Sequence, residues 1–107
     1  MNYEKYYNAD GQVAILYSPG YGAGWTTWCW DHEVKEALTF DAEIVKLLLE
    51  KKFNEIENYT NEKYEQCPLG LSDLEIMWLD PETPFRIEEY DGSESVRFYN
   101  PDSYLKA

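Results

Sequence analysis

The apolar run Gln12–Ser18 (QVAILYS) is short, β-rich and stopped by Pro19, which predicts a first strand. Pro19 to Gly24 (PGYGAG) carries three glycines and a proline and must be a loop. From Trp25 to Phe40 an extended, Trp-rich start leads toward a short helix around Asp31–Leu38. Asp41 is placed to cap a helix from Ala42 to about Phe53, with Val45, Leu48, Leu49 and Phe53 on its apolar face and Ile44 and Leu47 beside them. Ile56, Tyr59 and Lys63 keep helical spacing toward Glu65, either in a second helix capped by Asn54 or in the bent end of one long helix. Cys67-Pro68-Leu69-Gly70 ends that stretch.

Beyond it the period changes to two. Leu74, Ile76 and Trp78 alternate with Glu75 and Met77 until Asp80-Pro81-Glu82-Thr83-Pro84 breaks the run. Phe85, Ile87 and Glu89 alternate with Arg86, Glu88 and Tyr90. Asp91-Gly92 is a hairpin signal, with Ser95–Tyr99 as the return strand and Asn100-Pro101 closing it. The expected fold is α+β: a small, mainly antiparallel sheet of about four strands packed against one or two helices, in a single domain over residues 1–107.

Length changes this picture little, but composition changes it more. A chain of 107 residues has little apolar surface to spare for a deep catalytic cavity. Aromatic residues make up 17%, including ten Tyr and four Trp, side chains that suit both half-buried cores and binding surfaces. The formal charge is −12, and half of it falls beyond residue 66, where nine acids face three bases. Such a field repels nucleic acid and anionic membrane and attracts basic protein surfaces, so direct nucleic-acid binding and membrane binding are not expected. The first residues carry neither a basic region nor an apolar one, and no apolar run is long enough to span a bilayer. Cytoplasmic residence follows as the expectation, with Cys29 and Cys67 as reduced thiols.

Four motifs are candidates for chemistry. In Ser18–Trp25, the alternating Gly20, Gly22 and Gly24 either shape a tight turn or let backbone N–H groups approach a ligand. The spacing fits neither a P-loop nor a dinucleotide fingerprint, and no Lys or Arg stands nearby. Trp25, Trp28 and Trp30 crowd three indoles into six residues, more than one face of a small sheet needs. With Gly20, Tyr21, Gly22 and Gly24 they form the candidate loop for a partner or a small-molecule ligand. Asp31-His32-Glu33 beside Cys29 invites a zinc or Cys–His reading, but adjacent side chains diverge and a closed zinc site needs about four ligands. The acids Glu88, Glu89, Asp91 and Glu94 crowd the predicted hairpin. They serve either as a solvated edge or as an acidic patch for a basic partner, with Arg86 and Arg97 as their cross-strand partners. Calcium at Asp91, Ser93 and Glu94 would lack EF-hand spacing, so neither a metal nor a cofactor is expected.

SPGYGAGWTTW (Ser18–Trp28), DLEIMWL (Asp73–Leu79) and FRIEEYDGSES (Phe85–Ser95) together resemble a family of small proteins common in bacteriophages and prophages. The resemblance covers most of residues 12–97, and it implies a phage or mobile-element origin without supplying an activity. The expected function is therefore a phage-type, acidic, non-catalytic interaction module that modulates a host defence or DNA-handling protein through a basic surface, with nucleic-acid mimicry as one route. A nucleotide- or small-ligand-binding protein using Gly20–Trp30 is the alternative, and a small enzyme using Cys29 and His32 the third reading.

Overall fold

Strand β1 (Val13–Tyr17) is covered on both faces, and the architecture follows from that. The computed structural model describes residues 3–20, 24–26, 29, 31–64, 71–90, 93–98 and 105–107. Successive side chains of a strand point to opposite faces. Ala14 and Leu16 enter a cluster with Leu38, Ile44, Val45 and Ile56, whereas Val13 and Ile15 enter a second one with Phe40, Phe85, Ile87 and Leu105. A strand between two apolar layers has no polar face, which is why VAIL is uninterrupted.

On one edge β1 pairs antiparallel with β2 (Glu75–Leu79), from Val13 opposite Leu79 to Tyr17 opposite Glu75. On the other, Tyr7 bridges Val13, and the Ala14 N–H donates to the Tyr6 carbonyl at 3.0 Å. The turn between them is held by the Asn8 side chain, whose Oδ1 accepts from the N–H groups of Asp10 and Gln12, and by Gly11 at φ +78.

The remaining strands form a second sheet in the order β4-β3-β5, where β3 is Pro84–Tyr90, β4 Ser93–Arg97 and β5 Leu105–Lys106. The α+β class with antiparallel strands is as the sequence predicts, and among the described residues about four strands become five, split between two sheets. The chain turns at Asp80–Thr83, where Glu82 takes φ +67 and the Thr83 N–H and hydroxyl both donate to the Asp80 carbonyl. Past it, β3 finds its partners in β4 and β5, while β2 stays with β1. Tyr90 pairs with Ser93, so the return strand begins at Ser93, two residues before the expected Ser95. Strand β5 lies beyond the expected end of the sheet, and Leu105 pairs with Phe85 in the second cluster.

Among the described residues three α-helices cover the first cluster, α1 (His32–Phe40), α2 (Ala42–Leu49) and α3 (Phe53–Lys63), and a 3-10 turn at Leu71–Asp73 precedes β2. Asp31 caps α1 and Asp41 caps α2, each carboxylate accepting from two N–H groups of the first turn. Helix α2 stops at Leu49 in a left-handed cap with Lys51 at φ +57, where the Lys51 N–H donates to the Leu48 carbonyl and the Lys52 N–H to the Leu47 carbonyl. This break corrects the expected apolar face. The helical phase restarts at Lys52, which precedes α3 without a side-chain cap, and Leu49 and Phe53 are left 51% and 42% exposed. Among the described residues no helix is long and apolar enough to cross a membrane.

Candidate functional site

Glu94 is an anchor of the glycine-tryptophan loop and is no part of an acidic surface. Its side chain is 1% exposed. One carboxylate oxygen accepts from the Ser18 N–H at 2.9 Å, and the other from the N–H groups of Trp25 and Thr26 at 2.8 and 2.9 Å. Its own N–H donates to the Ser18 carbonyl at 2.7 Å, and the Ser93 hydroxyl donates to the Pro19 carbonyl at 2.6 Å. A loop with few ladder partners must satisfy its backbone donors elsewhere, and a buried carboxylate reached by three of them does so strongly. Trp25 is buried beneath this clamp, with its indole N–H donating to the Leu38 carbonyl at 2.9 Å, so that ring is core and offers no stacking surface. Gly20 is needed because a Cβ there would lie 2.6 Å from Asp73 Cβ and closer still to its carboxylate. Gly24 is buried. Tyr21, Gly22, Trp28 and Trp30 lie outside the described residues.

The other predicted patch residues separate. Glu88 bridges Arg86 at 3.6 Å and Arg97 at 3.2 Å, and these two arginines face each other across β3 and β4. The cross-strand pairing expected of the arginines is present for Arg97, whereas Arg86 reaches Glu88 along its own strand, and both offset the charge that Glu88 would offer a partner. Glu89 is exposed and Asp91 lies outside the described residues. A shallow groove of about 380 Å³ covers this face, lined by Glu88, Glu89, Tyr90, Ser93, Ser95 and Arg97.

Cys29 forms a disulfide, which corrects the expectation of a reduced thiol. That expectation rested on compartment, whereas pairing is decided by distance in the fold. The chain's other cysteine, Cys67, lies outside the described residues. A disulfide-bonded sulfur is no nucleophile, so the Cys29–His32 enzyme reading loses its attacking group. Asp31 is committed to capping α1, and His32 is exposed at its start. Among the described residues no three His, Cys, Asp or Glu side chains form a group able to hold a metal.

The most elaborate polar arrangement lies where the start of α2 meets the end of α3. Asp41 is buried, and while its Oδ1 caps α2, its Oδ2 accepts from the hydroxyls of Tyr59 at 2.8 Å and Tyr64 at 2.5 Å and from Lys63 Nζ at 3.2 Å. Lys63 also donates to the Tyr59 oxygen at 3.1 Å and lies within 5.5 Å of both ring centres. Burial pushes the Tyr64 phenol well up, and the hydrogen bond and charge of Asp41 push it further. Tyr59 is raised too, by burial first, with Lys63 pulling against Asp41. Burial alone would lower the Lys63 ammonium, but Tyr59 and Asp41 together hold it above its usual value. Both phenols therefore keep their protons at neutral pH and act as donors to a fixed carboxylate.

Above this floor opens a groove of about 530 Å³, lined by Tyr3, Glu4, Asp41, Ala42, Glu43, Lys46, Tyr59 and Lys63. Tyr3 is held there by stacking on Phe40 at 5.9 Å, and the Ala42 N–H donates to the Glu4 carbonyl. Sequence reasoning identified Asp41 as a cap and Tyr59 and Lys63 as helix-spaced, and missed that they meet. The available signal was a capping acid followed by tyrosines and a lysine at Tyr59, Lys63 and Tyr64, polar groups on a helix that also buries Ile56. Compared with known proteins, the chain matches no family profile, no curated protein and no solved structure.

Proposed function

We propose that this chain is a non-catalytic, acidic interaction module that occupies a basic surface on a host protein, in keeping with the phage-type family it resembles. The observation that carries the reading is the outer face of the helical layer. Glu33 and Glu36 are exposed on α1, Glu43 on α2, and Glu55, Glu57 and Glu62 on α3, against Lys46 and the Lys51-Lys52 pair between α2 and α3. Much of the acidic surface thus belongs to the helices, while of the hairpin acids Glu94 is buried and Glu88 is paired with arginines. A surface of one sign steers an oppositely charged partner and speeds its association in a salt-dependent way.

The test is affinity capture from bacterial lysate with the wild-type chain and with a variant in which Glu33, Glu55, Glu57 and Glu62 are all changed to Gln. A host protein should be retained by wild type, released by raised salt, and held at least about ten-fold less by the variant. A partner that binds both chains alike, or no salt-sensitive partner at all, refutes the reading.

A further inference from the structure

We infer that the groove between Tyr3, the start of α2 and the end of α3 receives an arginine side chain of the protein partner, an inference that rests on the interaction reading above. Its volume of about 530 Å³ is that of a side-chain or small-ligand site. The floor offers an anion little, because both tyrosine hydroxyls and two of the three Lys63 N–H groups are already engaged by Asp41 and Tyr59. Asp41 and Lys63 offset each other at 3.2 Å. At the rim, two exposed carboxylates, Glu4 and Glu43, outnumber the one exposed ammonium, Lys46. A further acid stands close by, since Glu36 acts on the Tyr3 phenol by charge and hydrogen bond.

The groove therefore favours a cation, and its walls specify which kind. The Tyr59 ring already meets the Lys63 ammonium, but Tyr3 also lines the groove, and on such a ring a planar guanidinium stacks while its N–H fork reaches carboxylates. A lysine ammonium would engage the same acids only as a point charge.

The experiment is a nuclear magnetic resonance titration of the ¹⁵N-labelled full chain with the capped peptide acetyl-Gly-Arg-Gly-amide and with its citrulline and glutamate counterparts. The arginine peptide should move the amide signals of Glu4, Glu43, Lys46 and Lys63 together and to saturation. The citrulline peptide should bind at least about ten-fold more weakly, and the double variant Glu4→Gln/Glu43→Gln should weaken arginine binding by about five-fold. A stronger response to the glutamate peptide would make this an anion site and overturn the inference, as would shifts scattered over the helices without saturation. The capture experiment alters none of the groove residues. Failure of the titration with capture intact removes the arginine site alone, and failure of capture with a saturable groove response removes the wider reading.

Discussion

Replacing Glu94 with Gln keeps the shape of the side chain and removes its charge. The glutamine oxygen can take over the two bonds from Trp25 and Thr26, but the amide NH₂ must then face the Ser18 N–H. One buried N–H left unsatisfied costs about 1–3 kcal/mol, and two bonds that change from charged to neutral acceptors lose about 1 kcal/mol each. The expected loss is about 3–5 kcal/mol, a substantial part of the roughly 5–15 kcal/mol a domain this size commands. The melting temperature should fall by about 12–25 °C. Thermal melts followed by near-ultraviolet circular dichroism of the tryptophans, together with urea midpoints, would measure it. Glu57→Gln on the exposed side of α3 serves as reference and should stay within about 0.5 kcal/mol of wild type. If Glu94→Gln unfolds together with that reference, the carboxylate clamp does not hold the loop and the reasoning fails.

Stability should also fall at alkaline pH. The folded pKa of Tyr64 lies above the usual 10.0, so its contribution is fully present below about pH 10 and is lost as the unfolded chain releases a phenolic proton the folded one keeps, by at most about 1.4 kcal/mol per pH unit before solvent screening; urea midpoints that stay flat from about pH 9 to about pH 11.5 would refute this. Gly20→Ala forces its new methyl against Asp73 and should cost about 1–3 kcal/mol, so a variant that melts like wild type would show that the loop can shift freely. Cys29→Ser should cost about 2–5 kcal/mol, and a reducing agent should lower wild-type stability equally; a reductant-insensitive wild type would rule out a stabilising disulfide.

The elements that sequence predicts well are those set by local pattern: β1 from its unbroken apolar run, Asp41 as a cap, the short helix starting around Asp31, the β3–β4 hairpin from Asp91-Gly92. What it misses depends on partners remote in the chain. Glu94 sits in an acidic, hairpin-like context that suggests solvent, and only the fold reveals that its face of β4 turns inward beside Val96. Leu49 and Phe53 continue a helical stripe on paper, yet the left-handed turn at Lys51 rotates the next helix out of phase. The groove at Asp41 is invisible for the same reason, since its walls come from residue 3, the start of α2 and the end of α3.

The Glu94 clamp has a consequence for the order in which the molecule can be made. A ribosome releases Ser18, Trp25 and Thr26 long before the carboxylate that holds them, 68 to 76 positions later. Strand β1 waits too, because Phe85, Ile87 and Leu105 on its second face are made long after it. Helices can form as they emerge, but the loop cannot settle until the hairpin has closed behind it. The nascent chain therefore carries its tryptophan-rich segment unfastened until the hairpin has emerged. The hairpin that looks like an exposed acidic tip is the latch that ends that interval.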